Sequence, residues 1–182
     1  MELQGERLIP APVEATWAAL NDPDVLKACI AGCESLVRNG ADAFDALVAV
    51  KVGPVSARFK GKLQMTNVQA PNKYTINFDG QGGVAGFGKG SADVSLTPEG
   101  AQTRLSYAAR AQVGGKMAQV GSRLIDAAAA KITDDFFKAF EARLRPASEA
   151  PSVPAPAEAG SKLLWWVVGA AVLLALLYFI MR

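Results

Sequence analysis

The sequence predicts an α+β fold: a curved antiparallel sheet of about seven strands around one long C-terminal helix, followed by a transmembrane helix. Between residues 44 and 113, apolar residues recur at every second position, the period of a half-buried strand. After Gly114-Gly115 they recur every three to four positions, as in an amphipathic helix. Because short turns separate the strands, the strands are expected to pair antiparallel, with one apolar and one solvated face.

A first strand and two short helices are predicted at the N-terminus. Residues 2–9 form the strand, and a helix opens at Pro12, because proline is tolerated in the first turn. Asp22 is a favourable cap for a second helix, which has Pro23 in its first turn and ends near Lys27. Neither helix is long enough to be stable alone, so both are expected to pack against the sheet.

The sheet that follows has turns at Gly53-Pro54, residues 71–73 and residues 98–100. The side chains assigned to its apolar face are Phe44, Ala46, Val48, Val50, Val52, Val55, Ala57, Phe59, Gly61, Leu63, Met65, Tyr74, Ile76, Phe78, Ala92, Val94, Leu96, Leu105, Tyr107, Ala109, Ala111 and Val113. The opposite face carries Arg58, Lys60 and Lys62, with Lys51 nearby. This basic set is interpreted as a solvated surface, and the alternative is a docking site for anionic lipid or an acidic partner.

The last element of the predicted 1–145 domain is a helix from about Met117 to Leu144. Its apolar stripe comprises Val120, Leu124, Ala128, Ile132, Phe136 and Phe140, flanked by Ile125 and Phe137. At about 1.5 Å per residue the helix would be about 42 Å long, enough to lie across a whole sheet. A curved sheet and a straight helix cannot touch everywhere, so a cavity is expected between them.

The C-terminus reads as a membrane anchor. Residues 163–181 (LLWWVVGAAVLLALLYFIM) are 19 uncharged residues, and the corresponding helix of about 28 Å matches the hydrocarbon core of a bilayer. Trp165 and Tyr178 lie near its two ends, as in interfacial aromatic belts. Residues 162–182 are therefore predicted to be a tail anchor in the cell membrane rather than a buried core helix. With no export signal at the N-terminus, the domain is expected in the cytoplasm.

Residues 146–161 join the domain to this anchor. They hold four prolines and one glycine, and the others are small or acidic, so they cannot bury enough apolar area to fold. We therefore predict a flexible linker. Such a segment reaches about 50 Å when extended and about 22 Å as a coil. The linker would let the domain touch the membrane and move away from it, and the alternative is a passive spacer.

The segment from Gly80 to Gly90 contains six glycines in eleven residues. Residues 83–89 fit the spacing of a phosphate-binding loop, but Gly90 stands where a Mg²⁺-binding Ser or Thr is required. A strand pattern rather than a helix follows, so no helix N-terminus would hold a phosphate. The segment is interpreted as a mobile hairpin loop, or as a lid with Val84, Ala85 and Phe87 at a cavity mouth.

The composition excludes much catalytic chemistry. The chain has no histidine, which removes Ser-His-Asp and Cys-His catalysis and His-ligated metals, and its net charge of +2 argues against nucleic-acid binding. Cys29 and Cys33 do not have zinc-ligand spacing and are expected to be reduced and structural. Tyr107, Asp79 and the two cysteines are the candidates for acid–base work near the inner face. No catalytic residue and no metal ligand is assigned, and the protein is expected not to be an enzyme.

Several short motifs resemble the carbon monoxide dehydrogenase G subunit (CoxG) family, which belongs to the START-like, helix-grip (SRPBCC) superfamily. The residues that carry the resemblance are Ala31-Gly32-Cys33, Val52-Gly53-Pro54-Val55, Gly90-Ser91-Ala92, Val113-Gly114-Gly115-Lys116-Met117-Ala118 and Gly121-Ser122-Arg123-Leu124. Ala31 departs from the family, which more often has proline there. The motifs are structural, so they carry the fold and not a reaction.

The resemblance implies a protein that binds an apolar ligand and is accessory to a molybdenum-containing carbon monoxide dehydrogenase. The expected ligand is a respiratory quinone such as menaquinone, held non-covalently and shuttled between the membrane and the dehydrogenase. The residues expected to line its site are Val48, Val50, Phe59, Leu63, Phe78, Tyr107, Leu124, Ala128 and Ile132, with Phe87 at the mouth. One alternative is a factor that only recruits or assembles the dehydrogenase at the membrane, and another is an enzyme of the cyclase or hydratase kind.

Overall fold

The computed structural model describes residues 1–145. The strands are β1 (Glu2–Ile9), β2 (Cys33–Arg38), β3 (Ala43–Val52), β4 (Val55–Gln69), β5 (Lys73–Gln81), β6 (Phe87–Glu99) and β7 (Gln102–Gly114). The helices are α1 (Val13–Leu20), α2 (Pro23–Cys29) and α3 (Ser122–Leu144), with short 3-10 turns at Gly83–Ala85 and Gly115–Val120. The predicted linker (146–161) and tail anchor (162–182) lie outside the described residues. Among the helices of residues 1–145, none has the length and apolar character needed to span a membrane.

All strand pairs are antiparallel, in the order β1-β7-β6-β5-β4-β3-β2, which confirms the predicted seven-stranded sheet. β1 and β2 are the edges, and α1 and α2 carry the chain from one edge to the other. Leu36 on the β2 edge and Leu105 on β7 line the same cavity, although four strands lie between β2 and β7. The sheet is therefore strongly curved.

The first strand and the two short helices begin where the sequence predicts. The Asp22 carboxylate accepts hydrogen bonds from two backbone N–H groups in the first turn of α2, at 2.8 and 3.4 Å. Two buried threonines connect α1 to β7. The Thr103 hydroxyl donates to the backbone carbonyl of Ala11 at 2.7 Å, and the Thr16 hydroxyl donates to the Thr103 hydroxyl oxygen at 3.3 Å.

The main hydrophobic core lies at the end of the sheet that is covered by α1, α2 and the C-terminal half of α3. Ile9, Leu105 and Phe140 are its most deeply buried large side chains. At the other end, the same face of the sheet is only partly covered, and Val48 and Phe59 are half-buried there. The fold thus leaves part of its apolar inner face accessible.

α3 begins at Ser122, so the predicted helix start at Met117 is wrong. Residues Gly115–Val120 form a 3-10 turn in which Met117 is buried. Gly121 then adopts a φ of 94°, outside the helical region, and this separates the turn from the helix. The helix has 23 residues and is about 35 Å long, and its predicted end at Leu144 is confirmed.

The sheet and the short helices hold α3 at its C-terminal half only. Phe137 and Phe140 are buried, and Phe136 stacks on Phe140 with ring centroids 5.7 Å apart. Between Ser122 and Ile132 no side chain is buried. The apolar stripe is continuous along the helix, but its N-terminal half has little cover.

An ion-pair cluster fixes α3 to the edge strand β1. The Asp134 carboxylate lies 2.8 Å from the Arg7 guanidinium and 2.7 Å from the Lys138 ammonium. The Arg7 guanidinium also lies over the ring of Phe137, 5.6 Å from its centroid. The Lys138 ammonium, followed by the Arg7 guanidinium, holds the pKa of Asp134 below its ordinary value.

Asp134→Asn is expected to lower the free energy of unfolding at neutral pH. Because the pKa of Asp134 is lower in the folded protein than in the unfolded chain, its contribution is present above the unfolded pKa and is lost as the pH falls through the folded one. The deficit of the variant should therefore shrink as the solution is acidified. Urea denaturation at a series of pH values measures this. Asp126→Asn is the control, since exposed Asp126 forms no ion pair within residues 1–145, and a constant deficit for Asp134→Asn would contradict the prediction.

The glycine-rich segment is mostly strand, which corrects the prediction of a loop from Gly80 to Gly90. β5 extends to Gln81 and β6 begins at Phe87, so the hairpin connection spans only residues 82–86. Gly86 has a φ of 111°, and a Cβ there would lie 1.9 Å from the carbonyl oxygen of Gly114. The tip of this hairpin therefore packs backbone to backbone against the start of the Gly115–Val120 turn.

Candidate functional site

A cavity of about 300 Å³ lies between the sheet, α2 and the C-terminal half of α3. Its apolar lining residues are Leu20, Leu26, Ile30, Leu36, Phe44, Leu63, Ile76, Val94, Leu105, Ile132, Phe136 and Phe137. Only Tyr74, Tyr107 and Thr133 add polar side-chain atoms. An apolar concavity with a few hydroxyl groups suits an apolar ligand that carries one or two hydrogen-bonding groups.

Tyr74 is the most deeply buried of the three hydroxyl-bearing residues. Its ring packs edge-on against Trp17, with ring centroids 5.5 Å apart. Burial raises the pKa of Tyr74 well above its ordinary value, so the phenol is neutral at physiological pH. A neutral phenol can donate one hydrogen bond and accept others.

Tyr107 owes its position in the cavity wall to the glycine that lies directly opposite it on the neighbouring strand. It pairs with Gly5 of β1, and a Cβ on Gly5 would lie 2.7 Å from Tyr107 Oη and 3.0 Å from Cζ. The ring of Tyr107 is also stacked on Phe137, with centroids 5.3 Å apart. The missing side chain at Gly5 therefore makes room for a ring that would otherwise project further into the cavity.

The same arrangement occurs twice more on the inner face. The ring of Phe59 occupies the space that a side chain at Gly82 would fill, with ring atoms 2.7 Å from the Cβ position. At Gly90 the Cβ position lies 2.8 Å from Phe78 Cζ and 2.0 Å from the carbonyl oxygen of Arg110, so backbone and ring both exclude a side chain. Gly82 and Gly90 therefore let aromatic rings lie against the sheet.

Gly5→Ala is expected to lower the free energy of unfolding by about 1–3 kcal/mol, because the new methyl group overlaps the Tyr107 ring. Part of this loss should be recovered in the double variant with Tyr107→Phe, which lacks the nearest atom. Chemical denaturation of both single variants and the double variant gives the coupling energy. Gly88→Ala is the matched control, since a Cβ on this strand glycine has nothing within 4 Å. Equal losses at Gly5 and Gly88 would show that the contact is unimportant.

The cavity opens to solvent beside α3. Ile132 lines the cavity and is nevertheless 41% exposed. Ala128 lies one turn earlier on the same stripe and is half-buried. Leu124 lies two turns earlier and is 42% exposed. Leu124 reaches the β3–β4 turn, where its Cδ2 lies 2.7 Å from the Cβ position of Gly53. A row of partly exposed apolar side chains therefore continues from the cavity along the N-terminal half of α3.

Three of the ten residues predicted to contact the ligand line the cavity, namely Leu63, Tyr107 and Ile132. Six others lie outside the cavity lining, on the inner face of the sheet or on α3, and these are Val48, Val50, Phe59, Phe78, Leu124 and Ala128. Phe87 is 36% exposed and lines a separate shallow groove with Val113 and Ile125. Ligand contact at these ten positions stays a prediction.

The α2–β2 wall of the cavity was absent from the predicted site. Leu26, Ile30 and Leu36 line it. Leu26 and Ile30 are four residues apart, the spacing of one helical face, and this signal was available in the sequence. Which face of so short a helix meets the sheet depends on the curvature that brings β2 over the other strands.

Of the four candidate acid–base groups, Tyr107 lines the cavity and the other three are poorly placed for chemistry there. Burial raises the pKa values of Cys29 and Cys33, which are free thiols, and so disfavours their thiolates. Asp79, predicted near the inner face, is exposed on the outer face, where its carboxylate accepts a hydrogen bond from Gln81 at 2.6 Å. It alternates with inward-facing Phe78, and this corrects the prediction. Among residues 1–145, His, Cys, Asp and Glu form no group of three able to hold a metal ion.

Comparison with known proteins places these features in a wider context. The sequence matches the family model described as the carbon monoxide dehydrogenase G subunit (CoxG) over residues 5–145. A conserved protein from Geobacillus kaustophilus is 31% identical, with a TM-score of 0.74 over 79% of this chain and 95% of that chain. No curated protein matches the chain.

More distant solved structures share the fold. A protein from Thermus thermophilus is 20% identical, with a TM-score of 0.60 over 79% of this chain and 97% of that chain. A START superfamily protein from Mycobacterium smegmatis is 15% identical, with a TM-score of 0.59 over 79% of this chain and 96% of that chain. The curved antiparallel sheet with its C-terminal helix is thus a START-like fold.

Proposed function

Because the chain belongs to the carbon monoxide dehydrogenase G subunit (CoxG) family, we propose that it binds a respiratory quinone and carries it between the membrane and a soluble molybdenum-containing carbon monoxide dehydrogenase. The observation that supports this most directly is the apolar cavity that opens beside α3 at Ile132. The proposed role is to bind and present the quinone, not to catalyse a reaction on it.

The cavity suits one part of such a ligand. With about 300 Å³ it is at the low end of small-molecule sites, so it takes the quinone ring and the start of the isoprenoid tail. The hydroxyl groups of Tyr74, Tyr107 and Thr133 are the available donors for the quinone carbonyl oxygens. In this proposal the rest of the tail lies along the partly exposed side chains of Ala128 and Leu124.

A tethered carrier has a clear energetic advantage. Moving an apolar tail through water costs about 25 cal/mol for each Å² exposed, whereas moving it from lipid into an apolar groove costs little. The predicted tail anchor (162–182) and linker (146–161) would keep the domain within reach of the bilayer, with the domain in the cytoplasm. The protein therefore acts at the cell membrane in this proposal.

The test is recovery of the ligand from the purified protein. The full chain is expressed in cells with quinone-containing membranes, and residues 1–145 are expressed alongside it. The Geobacillus protein matches this chain over 95% of its own length, so we expect residues 1–145 to fold without the residues that follow. Solvent extraction and mass spectrometry should find quinone in a substantial fraction of molecules. Repeated recovery of empty protein from quinone-replete membranes would reject the proposal.

A further inference from the structure

One end of the domain combines exposed apolar side chains with unpaired basic ones. This loop end comprises the Gly53-Pro54 turn, the Gly83–Ala85 turn, the Gly115–Val120 turn and the first turn of α3. The Gly53-Pro54 turn contacts Leu124 of α3, and Gly86 contacts Gly114 and Gly115. The four segments therefore form one continuous surface, at the opposite end of the sheet from the main core.

The apex of the loop end is apolar. Val84, at the tip of the β5–β6 hairpin, is 85% exposed, more than any other large apolar side chain of residues 1–145. Pro54 and Ala118, in two other segments of the loop end, are also exposed, and Leu124 is partly exposed. Exposing such apolar side chains to water is unfavourable, and contact with an apolar phase would relieve this cost.

The apex is held in place by buried neighbours. Ala85, next to Val84, is buried, and so are Met117 in the Gly115–Val120 turn and Val52 before the Gly53-Pro54 turn. The close backbone approach at Gly86 leaves no room for a side chain there. Val84 is therefore presented to the outside by a packed support.

Three basic side chains lie in or next to the segments of the loop end. Lys51, Lys116 and Arg123 are exposed, and within residues 1–145 none of them has a carboxylate within 4 Å. Asp126, one turn into α3, is the acidic residue nearest to them along the helix. The opposite end of the domain carries exposed charges of both signs, with Glu14, Asp22 and Asp24 as well as Lys27 and Lys73. The unpaired basic side chains of the loop end favour contact with a negatively charged surface.

We propose that the loop end docks on an anionic lipid surface, with Val84 inserted at the boundary between headgroups and acyl chains and with Lys51, Lys116 and Arg123 on lipid phosphates. The partly exposed apolar side chains of α3 run from Leu124 in this surface to Ile132 in the cavity wall, so docking would bring this row to the bilayer. What passes along the row rests on the proposed function.

The geometry of the tether is compatible with this orientation. α3 ends about 35 Å from its first residue, so the chain leaves the helix at the far end from the loop end. The predicted linker reaches about 50 Å when extended. It is therefore long enough for an anchored chain to turn its loop end toward the same membrane.

The experiment measures binding of residues 1–145 to quinone-free vesicles by flotation. One set of vesicles contains phosphatidylglycerol and phosphatidylcholine, and the other contains phosphatidylcholine alone. Binding is expected with the first set only, and it should weaken as salt rises. Val84→Ser should lower the partition coefficient about tenfold. Lys116→Gln with Arg123→Gln should lower it about thirtyfold and flatten the salt dependence.

Val68→Ser and Lys73→Gln are matched controls, since both residues are exposed at the other end of the β4–β5 hairpin. They should leave binding unchanged. Equal binding by all variants, or no preference for anionic vesicles, overturns the proposal. Binding to purified dehydrogenase that is lost in the loop-end variants, with vesicle binding intact, assigns the surface to a protein partner and also overturns it. If quinone is recovered but the vesicles are not bound, the docking proposal is rejected and the proposed function is not. If the vesicles are bound but the protein never contains quinone, the carrier function is rejected and the docking proposal stands.

Discussion

Ile132→Trp is expected to lower quinone affinity about sixtyfold while leaving the fold intact. Ile132 lines the cavity at its opening and is 41% exposed, so an indole can enter the opening without disturbing the main core. Excluding about 100 Å² of ligand surface costs about 2.5 kcal/mol at 25 cal/mol per Å². The quinone bound per protein is measured by extraction and mass spectrometry, and affinity by titration of the empty domain.

Two further variants make this result interpretable. Val94→Phe narrows the cavity from the sheet side and should also reduce quinone binding, which covers the case in which the indole turns outward. Val37→Trp is the control, because Val37 is exposed on the other face of β2 from Leu36. Unchanged binding in both cavity variants would place the ligand elsewhere. Loss of quinone with full electron transfer to the membrane would favour recruitment of the dehydrogenase over transport.

Phe140→Ala should produce the largest loss of stability, about 3–5 kcal/mol in the free energy of unfolding. Phe140 is completely buried in the main core and stacks on Phe136, so truncation leaves a cavity that its neighbours cannot fill. Urea denaturation at neutral pH measures the loss. If the truncated domain does not fold, Phe140→Leu retains most of the volume and should show a smaller loss in the same direction.

The comparison with the other half of the helix tests how α3 is held. Leu124→Ala removes a partly exposed side chain from the N-terminal half and should cost about 1 kcal/mol or less. Phe87→Ala makes the same chemical change as Phe140→Ala at a position that is 36% exposed, so it should cost less than Phe140→Ala. Similar losses at residues 124 and 140 would mean that both halves of α3 are packed alike, contrary to the structure.

Most elements could be predicted because their signals are local. Residues 2–9 have a strand pattern, Asp22 has the chemistry of a helix cap, and apolar and polar residues alternate in the strands between residues 44 and 113. The structure confirms each of these elements. A cap or a turn depends on a few neighbouring residues, so its sequence signal survives in the folded protein.

The errors arose where distant segments compete with local preference. Residues 117–121 have helical spacing, but contact between the Gly115–Val120 turn and the glycine-rich hairpin draws them into a 3-10 turn. The glycines between 80 and 90 suggest a loop when only the local sequence is considered. In the structure, Gly82 and Gly90 accommodate the rings of Phe59 and Phe78, which come from other strands. Neither contact is visible in a sequence window.

The order of the elements, the antiparallel sheet and the family all follow from the amino-acid sequence, because periodicity, turn residues and short motifs are properties of neighbouring residues. Which apolar residues line the cavity depends instead on the folded chain. Leu36 and Leu105 meet across it through the curvature of the whole sheet, and α3 covers one half of the inner face and leaves the other open. Curvature and helix placement result from packing between residues far apart in the chain, so an apolar stripe alone cannot distinguish core from cavity or groove.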